Sequence, residues 1–423
     1  MTTGTLPSEK RDRFFKWSIY ILGTLFFLNC FTPLRLHYDM LRYFSIKDCI
    51  ESKCPPGADP HDFLPYGYTG LLLLLSSLGI LKSFTIVFIN CLYLLGGLLF
   101  VRKIFSFVRF PFFMFYLVLM NWTIIKFVSH PLSELQYIFF SFGGLYSYNQ
   151  FERNKNPWYL LGAFLFAALA FLTRTVGIVL TIALFLSLVW EFRRQVIGLA
   201  KKNRIGLAAL MLSVAGILIF SKQLGLNHYR GVMSGQFVEG FRYSDMIRWH
   251  FSEWGEIFIN TSRYRIIELF PGFAVNYLFI AAGLLAICGF VYACFVKKNN
   301  IPFVIKAYLV LYILLIFTWP FADPRFCVPV IPLIAAIMSQ AIYCQNIRVK
   351  YFNSFYLIIY SFLGLISLGY MTFTSFNKKE FSKTQAKGVY RNEYETHFFG
   401  RPLSDTATFV NPYLVDLLNS YDK

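Results

Sequence analysis

The chain has 423 residues, 57% of them hydrophobic and 20% aromatic, with only 15% charged and a mean hydropathy of +0.53. Soluble domains run near ~45–50% apolar and about 25% charged, and here continuous apolar blocks of membrane-spanning length recur from end to end. That pattern predicts an all-α, polytopic membrane protein and excludes a soluble enzyme, a collagen, a disulfide-stapled secreted domain and a disordered chain. An outer-membrane barrel is excluded as well, because the apolar blocks do not alternate. The net charge of +18 comes from 40 basic and 22 acidic residues. The basic residues sit in short clusters between apolar blocks, as in cytoplasmic loops, so no nucleic-acid partner is expected.

Lys10, Arg11, Arg13 and Lys16 precede the first apolar run, about Phe14 to Pro33, and set the N-terminus in the cytoplasm. The run has no convincing small-residue cleavage site and reads as a retained anchor. The following outer loop, 34–82, opens with a polar stretch carrying Asp39, Asp48, Glu51, Asp59 and Asp62 around Pro55-Pro56-Gly57. Cys49 and Cys54 share it and can pair in an oxidising compartment or remain free thiols. The other six cysteines lie in or beside apolar segments, as small apolar fillers.

The apolar stretch Tyr68 to Ile80 is only thirteen residues long. Runs that short are usually interfacial or re-entrant. Laid at the membrane surface as a juxtamembrane helix, it lets Ser83–Val101 cross alone and places Arg102, Lys103 and Arg109 inside. Further spans are then expected near 111–128, 135–150, 158–172, 175–190, 205–222, 271–295, 302–320, 327–343 and 352–372, about eleven crossings in all. Five successive basic clusters fall inside with that threading, ending at Arg348 and Lys350. Residues 1–372 form one membrane domain with outer loops 34–82 and 223–270, and 373–423 form a short outer-face tail. The sequons at Asn121 and Asn260 are short enough to arise by chance and do not identify the compartment.

Ionisable groups beside span ends are expensive unless solvated or paired, which makes them functional candidates. Four come out on the outer side: Asp39 after the first span, Glu134 at a span start, Arg174 between two spans, and Arg325 before a late span. Two carboxylates and two guanidinium groups at one interface suit a lipid-borne phosphate held by the arginines while a carboxylate takes a proton from an attacking hydroxyl. Simpler roles stand beside these: a solvated loop acid for Asp39, a helix cap for Glu134, a snorkelling anchor for Arg174, and a local pair with Asp323 for Arg325. His37 and His130 precede the two acids and either orient a carboxylate or touch substrate, unless they are incidental. Tyr43, Tyr66 and Tyr68 either stack on a sugar ring or belong to the interfacial belt. Asn227-His228-Tyr229-Arg230 with Arg242, Arg248, Arg263 and Arg265 make a basic surface, suited first to lipid head groups and otherwise to an anionic acceptor.

At these residues the chain resembles the glycosyltransferase-C superfamily, in the branch of protein O-mannosyltransferases and bacterial aminoarabinose transferases. Four elements carry the likeness, in order: Tyr38-Asp39-Met40-Leu41-Arg42-Tyr43 with Leu64-Pro65-Tyr66-Gly67-Tyr68; Ser133-Glu134; Leu172-Thr173-Arg174-Thr175-Val176-Gly177; and Pro324-Arg325-Phe326-Cys327-Val328-Pro329. It covers about residues 14–345. The resemblance implies an inverting transferase that uses a polyprenyl-phosphate sugar, with Asp39 as base, Glu134 assisting it, and Arg325 at the carrier phosphate. Arg174, His37, Tyr43, Tyr66 and His130 are the further candidates for substrate binding. The acceptor would be a protein, lipid or glycan. Metal use varies in the superfamily, so a divalent cation stays open and no metal ligand is assigned. Two features depart from the family: Met40 follows Asp39 where a second acid is common, and the tail is short where many members carry a soluble domain.

The rival class is a transporter or lipid flippase, which places such charges near the bilayer midplane in repeated halves; no internal repeat is visible here. A non-catalytic subunit of a glycan-assembly complex is the third. The chain's small size and the absence of a retention signal at Ser420-Tyr421-Asp422-Lys423 lean toward a bacterial cell membrane, with the site on the periplasmic or extracellular face.

Overall fold

A computed structural model describes residues 8–55, 64–106, 111–202, 231–235, 242–271, 273–296, 300–342, 347–387, 391–401 and 410–420. Among these residues all regular structure is helical. Four helices among the described residues are long and apolar enough to cross a membrane: α1 (Ser8–Leu28), α4 (Ser83–Ile104), α12 (Phe273–Val291) and α15 (Ile347–Phe376). Their exposed faces carry large apolar side chains, such as Trp17 and Ile21 on α1 and Ile358, Phe362 and Leu365 on α15. That is the surface a bilayer requires.

Among the described residues the other apolar blocks form shorter or broken helices, so length and composition bear out four spans, and the expected count of about eleven is not confirmed. The block at 111–128 divides into α5 (Pro111–Leu119) and α6 (Trp122–Val128) at Asn121. The Asn121 side chain accepts the Thr123 amide at 3.1 Å and donates to the Tyr360 hydroxyl at 3.0 Å, so the break is a capped joint. Helix α7 (Glu134–Asn154) is long but carries Gln136, Ser141, Ser147 and Asn149 on buried positions. Protein surrounds it where lipid would surround a peripheral span, which relaxes the demand for an all-apolar sequence. Helices α8 (Pro157–Thr173), α9 (Ile178–Lys202), α13 (Phe303–Phe317) and α14 (Ile331–Ile342) complete the apolar set. The expected span 205–222 and the stretch Asn227–Arg230 lie outside the described residues.

The remaining helices pack against this set. Helix α2 (Tyr38–Ile50) follows the first span and ends beside the disulfide Cys49–Cys54, which resolves the open thiol question in favour of pairing. The expected surface segment is helix α3 (Tyr66–Ser77), stopped near Gly79 at φ 68°. Its twelve residues span roughly 18 Å, short of the ~30 Å hydrocarbon core. Helix α10 (Tyr243–Ile259) is followed by α11 (Arg263–Leu269), and α10 packs closely on α12. At that contact a Cβ on Gly255 would stand 2.0 Å from the Phe279 carbonyl oxygen, and one on Gly283 1.8 Å from that of Phe251. Only glycine permits the approach.

The described residues of the tail form three helices, α16 (Lys378–Gln385), α17 (Arg391–Phe399) and α18 (Pro412–Ser420). Buried Arg391 pairs with Glu395 at 3.2 Å, and Asn411 donates to the same carboxylate at 2.9 Å. This unit grips the segment that follows α1. Gln385 Oε1 accepts the Leu36 amide at 2.9 Å, Arg35 lies over the Phe381 ring at 4.2 Å, and Ser45 and His397 Nδ1 share a hydrogen bond of 3.0 Å.

Candidate functional site

Each candidate charge sits where a helix begins or ends, which is why its side chain leaves the helical packing. His37 caps α2, its ring accepting the Asp39 amide at 3.3 Å, and Asp39 lies in the first turn, where a carboxylate is favoured. Glu134 opens α7. The turn before it is held by Asn90 on α4, which donates to the Val128 and His130 carbonyls at 3.0 and 2.8 Å. Arg174 ends α8 with extended backbone, between that helix and the short 3-10 turn Thr175–Gly177. Arg325 belongs to the 3-10 segment Pro324–Val330, capped by Asp323, whose Oδ1 accepts the Arg325 amide at 2.9 Å.

The four meet in one cluster. Arg325 Nη2 stands 2.5 Å from Asp39 Oδ2, while its Nε lies 3.1 Å from Asp323 Oδ2 and 3.9 Å from Glu134 Oε1. Arg174 Nη1 is ion-paired and hydrogen-bonded to Glu134 Oε1. Ser133 Oγ links Tyr43, at 2.9 Å from its hydroxyl, to Arg174, at 3.5 Å. Tyr43 also meets the Tyr68 ring edge-on at 5.1 Å. Helix α3 is drawn in by Gly67, where a Cβ would lie 2.6 Å from the Leu172 carbonyl oxygen, two residues before Arg174.

Exposure is graded across the cluster. Glu134 is 1% exposed and its Oε2 has no hydrogen-bond partner among the described residues, whereas the side chains of Asp39 and Asp323 are each 26% exposed. Asp39 and Asp323 therefore form the mouth and Glu134 the floor. Burial works to raise the Asp39 carboxyl, but the charge and hydrogen bond of Arg325, with the charge of Arg42, hold Asp39 below the usual carboxylate range. Burial opposes the charge on Arg174 and Arg325, yet the acids around them push both guanidinium values up, so both stay cationic.

The histidines occupy one wall. Their rings meet edge-to-face at 6.2 Å, and His130 Nδ1 hydrogen-bonds the Lys126 carbonyl at 2.8 Å. Burial, then neighbouring cations, lowers both imidazoles, His130 well below its ordinary value, so both are neutral at pH 7. Neither hydrogen-bonds a carboxylate among the described residues. Tyr66 opens α3 and is 47% exposed.

Three groups of the site were not among the expected binding residues. Asp323 is a full member of the charge cluster as well as a local partner of Arg325. Ser133 joins Tyr43 to Arg174. Lys126 is the single charge in the apolar run from Pro111 to Val128, and a lone charge in such a run is itself a signal. Asp39, Asp323 and Glu134 each turn one carboxylate oxygen to an arginine. Among the described residues no group of three or more His, Cys, Asp or Glu side chains is arranged to hold a metal. No family model, no curated protein and no solved structure matches the chain.

Proposed function

We propose that the chain is an integral-membrane inverting glycosyltransferase, moving a sugar from a polyprenyl-phosphate donor to a protein, lipid or glycan hydroxyl on the extracytoplasmic face of a bacterial cell membrane. The observation that supports this reading is convergence: Asp39, Glu134, Arg174 and Arg325, from four separate segments, share one set of ion pairs at a partly open mouth.

In the resting site Arg325 neutralises Asp39 and keeps it a weak base. Donor phosphate oxygens would compete for the planar donors of Arg325 and Arg174. As Arg325 turns to the phosphate, Asp39 loses its counter-charge, burial dominates, and its proton affinity rises. Asp39 then takes the proton of the acceptor hydroxyl while that oxygen bonds the anomeric carbon. The anomeric carbon–oxygen bond to the carrier breaks, and its electron pair leaves on the polyprenyl phosphate, stabilised by the guanidinium groups. Attack opposite the departing phosphate inverts the anomeric centre. Glu134 holds Arg174 through one oxygen and offers the other to a sugar hydroxyl.

The test is incubation of the purified protein with a panel of polyprenyl-phosphate sugars and hydroxyl acceptors, reading released polyprenyl phosphate. Release that disappears in a folded Asp39→Asn variant supports the reading. No release from any donor, with movement of intact donor across proteoliposomes, would replace it with transport.

A further inference from the structure

The cluster just described is nearly self-compensated. Asp39, Glu134 and Asp323 face Arg174 and Arg325, and every guanidinium group is already committed to a carboxylate. An incoming phosphate would have to break those pairs with nothing else to attract it. One cation beside the cluster has no such commitment.

Lys126 lies on α6, where Trp122, Thr123, Ile124, Ile125, Phe127 and Val128 are all buried and Lys126 alone is exposed. An exposed residue inside an otherwise buried helix marks an opening onto that helix. Lys126 makes no ion pair among the described residues; its ammonium is held 4.8 Å from the Phe127 ring centre and 5.8 Å from that of Trp122. Aromatic faces stabilise a cation without cancelling its charge. The Lys126 carbonyl hydrogen-bonds His130 Nδ1 at 2.8 Å, and the His130 ring meets that of His37, the cap of the Asp39 helix, at 6.2 Å. That sets the lysine beside the cluster, where the charges of Asp323, Arg325 and Arg265 act on it; Arg265 on α11 is itself exposed and held 4.4 Å over the Tyr370 ring. Glu256, the remaining acid in range, is buried and has its carboxyl pushed up to about 8, so at neutral pH it does little to cancel the lysine.

We propose that Lys126 is the open cation of this mouth and binds the phosphate of a phosphorylated lipid, holding it beside Arg325 while the internal ion pairs exchange. That phosphate is a diester in the donor and a monoester in the released carrier. The inference deepens the function proposed above, on which it rests for the source of the phosphate, a lipid carrier; free inorganic phosphate is the other source of the same chemistry. Lysine suits the role, because a flexible ammonium follows a phosphate as it moves, where a forked guanidinium fixes it.

The experiment measures binding, independently of sugar transfer. Full-length protein in phosphatidylcholine nanodiscs is titrated with a polyprenyl phosphate, with the neutral polyprenol and with inorganic phosphate, following the fluorescence of Trp122 beside the lysine. Losing a charge-assisted bond weakens affinity about tenfold or more, so Lys126→Gln raises the Kd for polyprenyl phosphate by that factor and Lys126→Arg restores most of it. Polyprenol binding is unchanged, and inorganic phosphate competes only with the phosphorylated lipid. Inorganic phosphate binding as tightly as the lipid would assign the site to the free ion and overturn the carrier. Unchanged polyprenyl-phosphate affinity in a Lys126→Gln protein with wild-type thermal unfolding overturns the site itself. If that variant also transfers sugar with unaltered donor KM, the transferase reading stands without it; binding through Lys126 without any transfer leaves the site standing and removes the reading.

Discussion

Arg325 Nη2 lies 2.5 Å from Asp39 Oδ2, joining a loop after the first span to one near the end of the membrane region. The pair sets the basicity of the proposed catalytic carboxylate. A carboxyl lowered in the folded state contributes stability that is complete above its unfolded value, ~3.9 for Asp, and lost as pH falls through the lower folded value. In wild-type protein the acid limb of the kcat/KM profile assigned to Asp39 therefore lies below about pH 4. Arg325→Gln leaves burial unopposed, and its residual activity should show that limb at higher pH. An acid limb unmoved by the substitution would detach Asp39 from Arg325.

Asp39→Asn should abolish transfer while the protein stays folded, since Arg325 keeps Asp323 as a charged partner when Asp39 loses its charge. Full activity in that variant removes Asp39 from the chemistry.

Glu134 and Arg174 behave as one unit. Glu134→Gln strands a largely buried guanidinium, at a cost of about 3 kcal/mol, the low end for a broken buried pair because Arg174 keeps 17% of its side-chain surface. Glu134→Gln combined with Arg174→Gln should be more stable than Glu134→Gln alone. Additive losses in thermal unfolding would show that the pair carries no coupling.

The tail clamp has its own readout. Gln385→Ala removes the acceptor of the Leu36 amide, worth about 1 kcal/mol, and should speed exchange of that amide roughly fivefold. Peptides covering 36–45 are the ones to follow by hydrogen exchange. Unchanged protection there would mean that the tail rests on the loop without holding it.

Gly255→Ala and Gly283→Ala each drive a methyl group into a carbonyl oxygen of the facing helix. Overpacking costs about 1–3 kcal/mol, and more where backbone has to move, so each should lower the melting temperature clearly. A melting temperature equal to wild type would contradict the close approach of α10 and α12.

The charged members of the cluster were legible in the sequence because charges beside apolar blocks stand out against their surroundings. Their ion pairing was not, since nothing in local spacing says that Arg325 reaches Asp39 as well as Asp323. Lys126 was hidden by its run, which reads as one span until Asn121 is recognised as a cap that divides it. Apolar length alone does not single out α7, a 21-residue helix whose polar residues are covered by protein. The tail helices escaped notice because α16 and α17 are mostly polar and fold through one buried Arg391–Glu395–Asn411 network instead of an apolar stripe.

Gln385 and the Leu36 amide it holds are 349 positions apart. At about 5–20 residues per second, a ribosome adds Gln385 roughly twenty to seventy seconds after Leu36 has been made. During that interval the segment around Leu36 has to wait without its clamp, which makes maturation of this centre a late event in biogenesis and exposes the waiting segment to proteases and to chaperones that recognise unassembled chain.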